Sequence, residues 1–215
     1  MEDRKEFMSK IITICFLRHG RSSGDDEGVH EGRYDAALTE MGRAQAKERA
    51  VGWKEHGIKF DLIISSTLQR AHETARIMAE ILQTPLETDS DWMEVDNRPL
   101  AGLPFEVAAS RFPRPAFRNP YELFYGEGEC DWEIHCREIR AVEKIIRRGP
   151  GSYLIVSHGG ILNAALRSIV GASPPINGQH GIWFALGDTG YVKTVYSPAK
   201  HQWFIETLIS EWQPE

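Results

Sequence analysis

Apolar positions along the 215-residue chain fall into two kinds of run. The short unbroken ones, at 11–17, 61–65 and 153–157, are rich in β-branched side chains and too brief for typical helices, so they predict buried strands. Between them the period lengthens. Leu68, Ala71, Ala75, Met78 and Leu82 recur at three- and four-residue intervals, with Ser66 and Gln69 forming a capping-box signature and the helix ending near Gln83, before Pro85. Thr39 is placed to cap a helix running to about Gly57, and a further helix over 160–170 ends at Gly171. Trp132, Cys136, Ile139, Val142 and Ile146 mark a long amphipathic helix stopped at Gly149-Pro150. Residues 181–208 alternate as strands separated by GDTG and SPAK turns. Residues 99–128, crowded with Pro, Gly and aromatics, predict one short helix at 104–112 inside an ordered but irregular insertion.

Strands alternating with helices imply an α/β fold, a mainly parallel sheet covered on both faces, whose ligands sit at the carboxyl ends of strands. His19, Ser65 and His158 stand at such ends. With 41% hydrophobic residues and no composition shift or linker, residues 1–215 are expected to form one domain carrying a cap-like insertion at about 99–128.

A formal charge of −6 argues against a general nucleic-acid or anionic-membrane binder, which needs a broad cationic face. The leader MEDRKEFMSK mixes charges of both signs and precedes only a short apolar run, so neither a signal peptide nor a membrane span is expected. Cys15, Cys130 and Cys136 lack CxxC spacing and suit free thiols in a reducing, cytoplasmic setting. Cys130, His135 and Cys136 fit no common zinc pattern, and Cys136 falls on the apolar stripe of its helix.

Four segments then supply chemistry: LRHGRS (17–22), SSTLQRAHETA (65–75), DWMEVDNRPLAGLP (91–104) and VSHGG (156–160). Together they resemble the histidine phosphatase superfamily, also called phosphoglycerate-mutase-like, through Arg18, His19, Gly20, Arg70, Glu94, His158 and Gly159. The stretch EGRYDAALTEMGRAQA (31–46) is similar to the family's pattern at Gly32, Asp35, Leu38, Thr39, Gly42 and Gln45, with Glu31 standing where Gln is usual. The resemblance implies a three-layer α/β/α sandwich and a phosphatase acting through a phosphohistidine. It assigns the nucleophile to His19 and a transition-state hydrogen bond to His158.

Those residue types suit phosphoryl transfer. A transferring phosphoryl group spreads charge over its equatorial oxygens, and the permanently charged, planar guanidiniums of Arg18 and Arg70 can each match two of them. Arg21, Ser22, Gly32, Arg33 and Gly159 are further candidates for contacting the substrate. Helices opening after His19 and His158 would turn backbone N–H groups toward the same anion, and no metal or other cofactor is then required. Glu94 is the expected general acid, because a partly buried carboxyl beside a phosphate has its pKa raised; Asp91 and Asp96 are competitors.

Arg111, Arg114 and Arg118, interleaved with Phe112, Phe117, Tyr121 and Phe124, form either a substrate-selecting cap or a surface loop. His30, His56, His72, His135, His180 and His201 read as structural. A small phosphorylated metabolite is the expected partner, with a phosphoprotein as an alternative and a homodimer through the carboxy-terminal strands as one form of assembly. A phosphoglycerate mutase is the rival enzyme, but such mutases usually carry Glu-Arg-His-Tyr-Gly after their acid where this chain has EVDNRPLAG. The remaining alternative is a non-catalytic phosphate-binding module.

Overall fold

The computed structural model describes residues 10–177, 179 and 181–210; the first nine residues of the leader and His180 lie outside the described residues. The chain runs β1 (Ile12–Arg18), α1 (Ser23–Glu27), α2 (Glu40–Glu55), β2 (Leu62–Ser65), α3 (Gln69–Leu82), β3 (Leu86–Thr88), α4 (Phe105–Arg111), α5 (Asp131–Arg148), β4 (Gly151–Ser157), α6 (Gly159–Ile169), β5 (Tyr191–Ser197) and β6 (Gln202–Ile209). All the strands join one sheet in the order β3-β2-β4-β1-β5-β6. Strands β3, β2, β4 and β1 are mutually parallel, and β5 and β6 close one side as an antiparallel pair.

Alternation along β1 shows how both faces are filled. Ile12, Ile14 and Phe16 point into a cluster with Ala141, Val142 and Ile145 of α5 and Leu162, Ala165 and Leu166 of α6. Cys15 and Leu17 point the other way, onto Ala50 and Trp53 of α2 and Ala71, Ala75 and Met78 of α3. The result is the three-layer α/β/α sandwich. Each fully buried side chain of this size stabilises the fold by roughly 1.5–3 kcal/mol, enough to fix the register of the parallel strands.

Several sequence expectations shift. The buried face of α5 is Ile134, Ala141, Val142 and Ile145 together with three ionisable residues, Asp131, Arg137 and Glu138. Cys136 is exposed and Trp132 and Ile139 are largely so, because the apolar stripe is offset toward those buried charges. The tail is strand only from Tyr191, since 181–190 passes over the sheet ends as a loop. The helix following His19 begins at Ser23, not directly after the histidine.

Candidate active site

Arg18 and Ser157 are register partners across β1 and β4, so the residues after them, His19 and His158, leave the sheet side by side. Their ring centroids lie 5.1 Å apart. The His19 N–H donates to the Ser157 carbonyl at 2.9 Å, and its own carbonyl accepts from the Thr189 N–H at 3.2 Å. Gly20 then presses on the first turn of α2, where a Cβ would stand 2.5 Å from the Gly42 carbonyl oxygen. A larger residue would push the turn away and carry His19 with it.

The tautomer of His19 follows from its neighbours. A carbonyl only accepts, so the 2.7 Å contact between Nδ1 and the Gly20 oxygen places the proton on Nδ1 and leaves the lone pair on Nε2. The Arg70 Nε–H donates to that Nε2 at 3.2 Å. Burial, and then the guanidiniums of Arg70 and Arg18, hold the His19 imidazole well below its ordinary pKa, so it is neutral at neutral pH. Arg70 is itself fully buried, and its Nη1 and Nη2 donate to the carbonyls of Tyr34 and Gly32, each at 2.9 Å. Gly32 has φ +47°, and a Cβ on it would lie 1.7 Å from the Asn97 Oδ1. Its role is to present a carbonyl to Arg70.

His158 is oriented by Ser66, whose Oγ lies 2.8 Å from Nε2 and also accepts the Leu68 N–H at 3.2 Å. In the tautomer that accepts the Ser66 hydroxyl proton at Nε2, the ring carries its own proton on Nδ1. That Nδ1 is buried without a protein partner. Burial, with Arg70 next, also holds the His158 pKa well below its ordinary value. Ser66 thus does not cap α3, whose N-cap is Leu68 with no side-chain hydrogen bond.

Glu94 arrives on a loop tied down from α5. Arg137 donates through Nη1 to the carbonyls of Asp91 and Met93 at 2.8 and 2.7 Å, and pairs with the Glu129 carboxylate at 2.7 Å. The Glu94 carboxylate accepts the N–H groups of Val95, Gly160 and Ile161 at 2.8, 2.9 and 3.0 Å. The opening of α6 therefore holds Glu94, and the donors expected to face a phosphate are partly spent on it. Asp91 is paired with Arg140 and Lys144, whose hydrogen bonds hold its pKa at about 2. Asp96 is paired with Arg98 and Arg33, and the Arg98 hydrogen bond lowers it as well. Neither competitor reaches the imidazoles.

A cavity of about 270 Å³ opens here, lined by the expected Arg18, His19, Glu94 and Gly159, and by Glu31, Gly160, Asn163, Trp183 and Leu186. Four candidates are placed elsewhere. Arg21 pairs with Asp26 at 2.6 Å, Ser22 caps α1, Gly32 serves Arg70, and Arg33 braces Glu94 and Glu129. Glu31 carries no motif signal beyond its place at the head of the 31–46 stretch. Its Oε2 lies 3.8 Å from His19 Nε2 and 3.4 Å from Arg70 Nε, and burial raises its pKa. Its Oε1 is 2.5 Å from Ser22 Oγ, a hydroxyl that also lies 2.8 Å from Asp25 Oδ2. One hydroxyl proton cannot serve two carboxylates, so a proton on Glu31 completes this chain of contacts.

In the insertion, Arg118 pairs with Asp131 at 2.6 Å and lies 4.1 Å from the Phe124 ring centroid. With Phe112, Arg114 and Tyr125 it lines a separate cavity of about 700 Å³, while Phe117 and Tyr121 are exposed. Among the described residues no three His, Cys, Asp or Glu side chains converge as a metal site, and no helix is long and apolar enough to cross a membrane.

The chain is similar to known proteins in sequence and in fold. Over 167 residues the chain is 29% identical to the uncharacterized phosphatase PhoE of Bacillus subtilis (strain 168), covering 77% of this chain and 81% of that protein. It is 30% identical over 171 residues to the 2,3-bisphosphoglycerate-dependent phosphoglycerate mutase of Bartonella bacilliformis, covering 75% and 82%. The fold superposes on the mycobacterial glucosyl-3-phosphoglycerate phosphatase complexed with VO3 at a TM-score of 0.79 and 20% identity, covering 93% and 99% of the two chains. The pattern of the histidine phosphatase superfamily (branch 1) matches residues 14–206. With the paired strand-end histidines lying inside that span, the chain belongs to the histidine phosphatase superfamily, branch 1.

Proposed function

We propose that this protein hydrolyses a phosphate monoester through a phosphohistidine on His19, using its own side chains and no metal. The observation that carries the reading is the state of the two imidazoles. His19 offers a neutral Nε2 lone pair fixed by the Gly20 carbonyl, and His158, in the tautomer that accepts the Ser66 proton, offers an Nδ1–H with no partner among the described residues, the ring centroids lying 5.1 Å apart.

Nε2 attacks phosphorus in line as the ester P–O bond breaks. Arg70, Arg18 and His158 hold the charge on the equatorial oxygens, Arg70 giving up its hydrogen bond to Nε2 as that lone pair bonds to phosphorus. Glu94 supplies a proton to the departing oxygen. Because both its oxygens now accept N–H groups, it does so only after releasing one of them. The resulting carboxylate takes a proton from water, which attacks the phosphohistidine and frees His19. Glu31 faces the same space and must be neutral or displaced when a dianion enters.

The substrate is proposed to be a small phosphorylated metabolite, and the three free thiols support a cytoplasmic setting. EDTA-treated protein is expected to hydrolyse p-nitrophenyl phosphate, and His19→Ala to release none. Isomerisation of 3-phosphoglycerate in the presence of 2,3-bisphosphoglycerate, without release of phosphate, would instead establish a mutase.

A further inference from the structure

Beside the imidazole pocket lies a second, smaller cavity of about 150 Å³, and Gly160 and Trp183 line both. Glu94 stands at the junction. Its carboxylate accepts the Gly160 N–H, and the next residue, Val95, lines the second cavity. A leaving group protonated by Glu94 therefore has this cavity as an adjoining space.

The cavity is lined by a cation, Arg167, that makes no ion pair among the described residues, and by Asp131. Arg167 of α6 is 6% exposed, its Nη1 is buried without a hydrogen-bond partner, and among the described residues it forms no salt bridge. Its guanidinium carbon lies 5.9 Å from the centroid of the Trp183 ring. The nearby acids are otherwise engaged. Asp131 is paired with Arg118, and Glu138 is bonded to Ser168 and His135. Burial pushes the Glu138 carboxyl up to about 8, so at neutral pH it is chiefly uncharged, and burial also keeps the neighbouring His135 neutral by lowering its pKa. A guanidinium stays charged in any such environment, and a buried fork with spare donors is costly unless something anionic arrives to meet it.

We propose that Arg167 receives a second oxyanion, a carboxylate or a phosphate, carried on the leaving group of the substrate. This rests on the phosphatase reading above and narrows it: the preferred substrates are phosphate monoesters of small molecules with a second anionic group, held between the Arg18–Arg70 pair at one end and Arg167 at the other.

The test compares kcat/KM on glycerol 3-phosphate, 3-phosphoglycerate and ethylene glycol bisphosphate, with p-nitrophenyl phosphate reporting the chemistry alone. At least one of the two doubly anionic probes is expected to be preferred over glycerol 3-phosphate by about tenfold or more, the size of one hydrogen bond to a charged group. Which of them is preferred identifies the second anion as carboxylate or phosphate. Arg167→Gln should remove that preference chiefly through KM, and Arg167→Lys, which keeps the charge without the fork, should retain part of it. Equal kcat/KM on all three probes, or a preference that survives Arg167→Gln, overturns the proposal. Should Arg167→Gln fail to fold, the Arg167→Lys ratio decides alone, an unchanged preference counting against it. If p-nitrophenyl phosphate itself is not hydrolysed, the phosphatase reading has failed. Calorimetric titration of the wild-type protein with the same three probes then still reads the subsite, and equal affinities would sink it.

Discussion

His19, Arg70 and His158 are each no more than 1% exposed and stand at strand ends or in a helix's first turn, whereas the 99–128 segment leaves Phe105, Phe117 and Tyr121 more than half exposed. The first region is positioned by the sheet. Parallel pairing of Arg18 with Ser157 and packing of Gly20 on Gly42 leave the histidines little freedom. The second is held by side-chain contacts such as Arg118 with Asp131 and Phe124. Rigid backbone therefore serves the phosphoryl group common to every substrate, while features that tell substrates apart belong to loops and to side chains such as Arg167.

Changes to the sheet-held region should act on every substrate; beside it, and after the loss of His19 itself, the largest effect is at Glu94, whose consequence depends on the leaving group. Glu94→Gln is expected to lower kcat on an alkyl phosphate by about 10²–10⁴-fold, the usual worth of a placed general acid. With p-nitrophenyl phosphate, whose leaving group needs no proton, the first step should be far less affected, so a phosphoenzyme accumulates. Equal losses on both esters in the phosphoenzyme-forming step would remove Glu94 from that role. Next comes Arg70→Lys, which keeps a cation but loses the fork that spans His19, Tyr34 and Gly32. A fall in kcat/KM of about 10²-fold is expected across aryl and alkyl esters alike. Selectivity that changed with the ester would show that Arg70 reads the leaving group.

Smaller effects sharpen the boundary between the regions. Burial raises the Glu31 pKa, so in the ligand-free protein this carboxyl is protonated at low pH and charges as pH rises through its raised value. Once charged it repels the phosphate. KM should therefore climb as pH rises through that raised value, beyond the change due to the substrate's own titration, and Glu31→Gln should flatten that climb. A variant profile parallel to wild type would show that Glu31 stays neutral or moves aside. Smallest of all is Asp91→Asn. Since Asp91 is tied to Arg140 and Lys144 at the far side of its loop, turnover should change by less than about twofold. A loss comparable to that of Glu94→Gln would reinstate it as the acid.

The site's backbone framework was readable from the chain because strands β1, β2 and β4 are apolar on both faces and announce themselves without tertiary information. What one dimension could not show was pairing. Asp131, Arg137 and Glu138 are buried together on α5, so the polar positions that normally mark a helix's outer face marked its inner one. Ser66 has the spacing of a capping residue, yet His158, far along the chain, claims its hydroxyl. Arg21 and Arg33 flank the motif, but each turns to a carboxylate and neither lines the imidazole cavity, whereas Arg18 lines it while also reaching Asp25 and Asp188. The edge strand β3 was missed because three residues, two of them exposed, carry no period. Glu31 and Arg167 have no local signature at all, since their significance is the burial and spacing that only folding creates.

Chemistry at His19 is tested most directly by quenching the wild-type protein within milliseconds of mixing with ³²P-labelled substrate and mapping the label. Label on a peptide containing His19, stable in base and lost in acid, formed and consumed at rates no slower than turnover, is the predicted result. Turnover with no such label, or acid-stable label on any other residue, would contradict it.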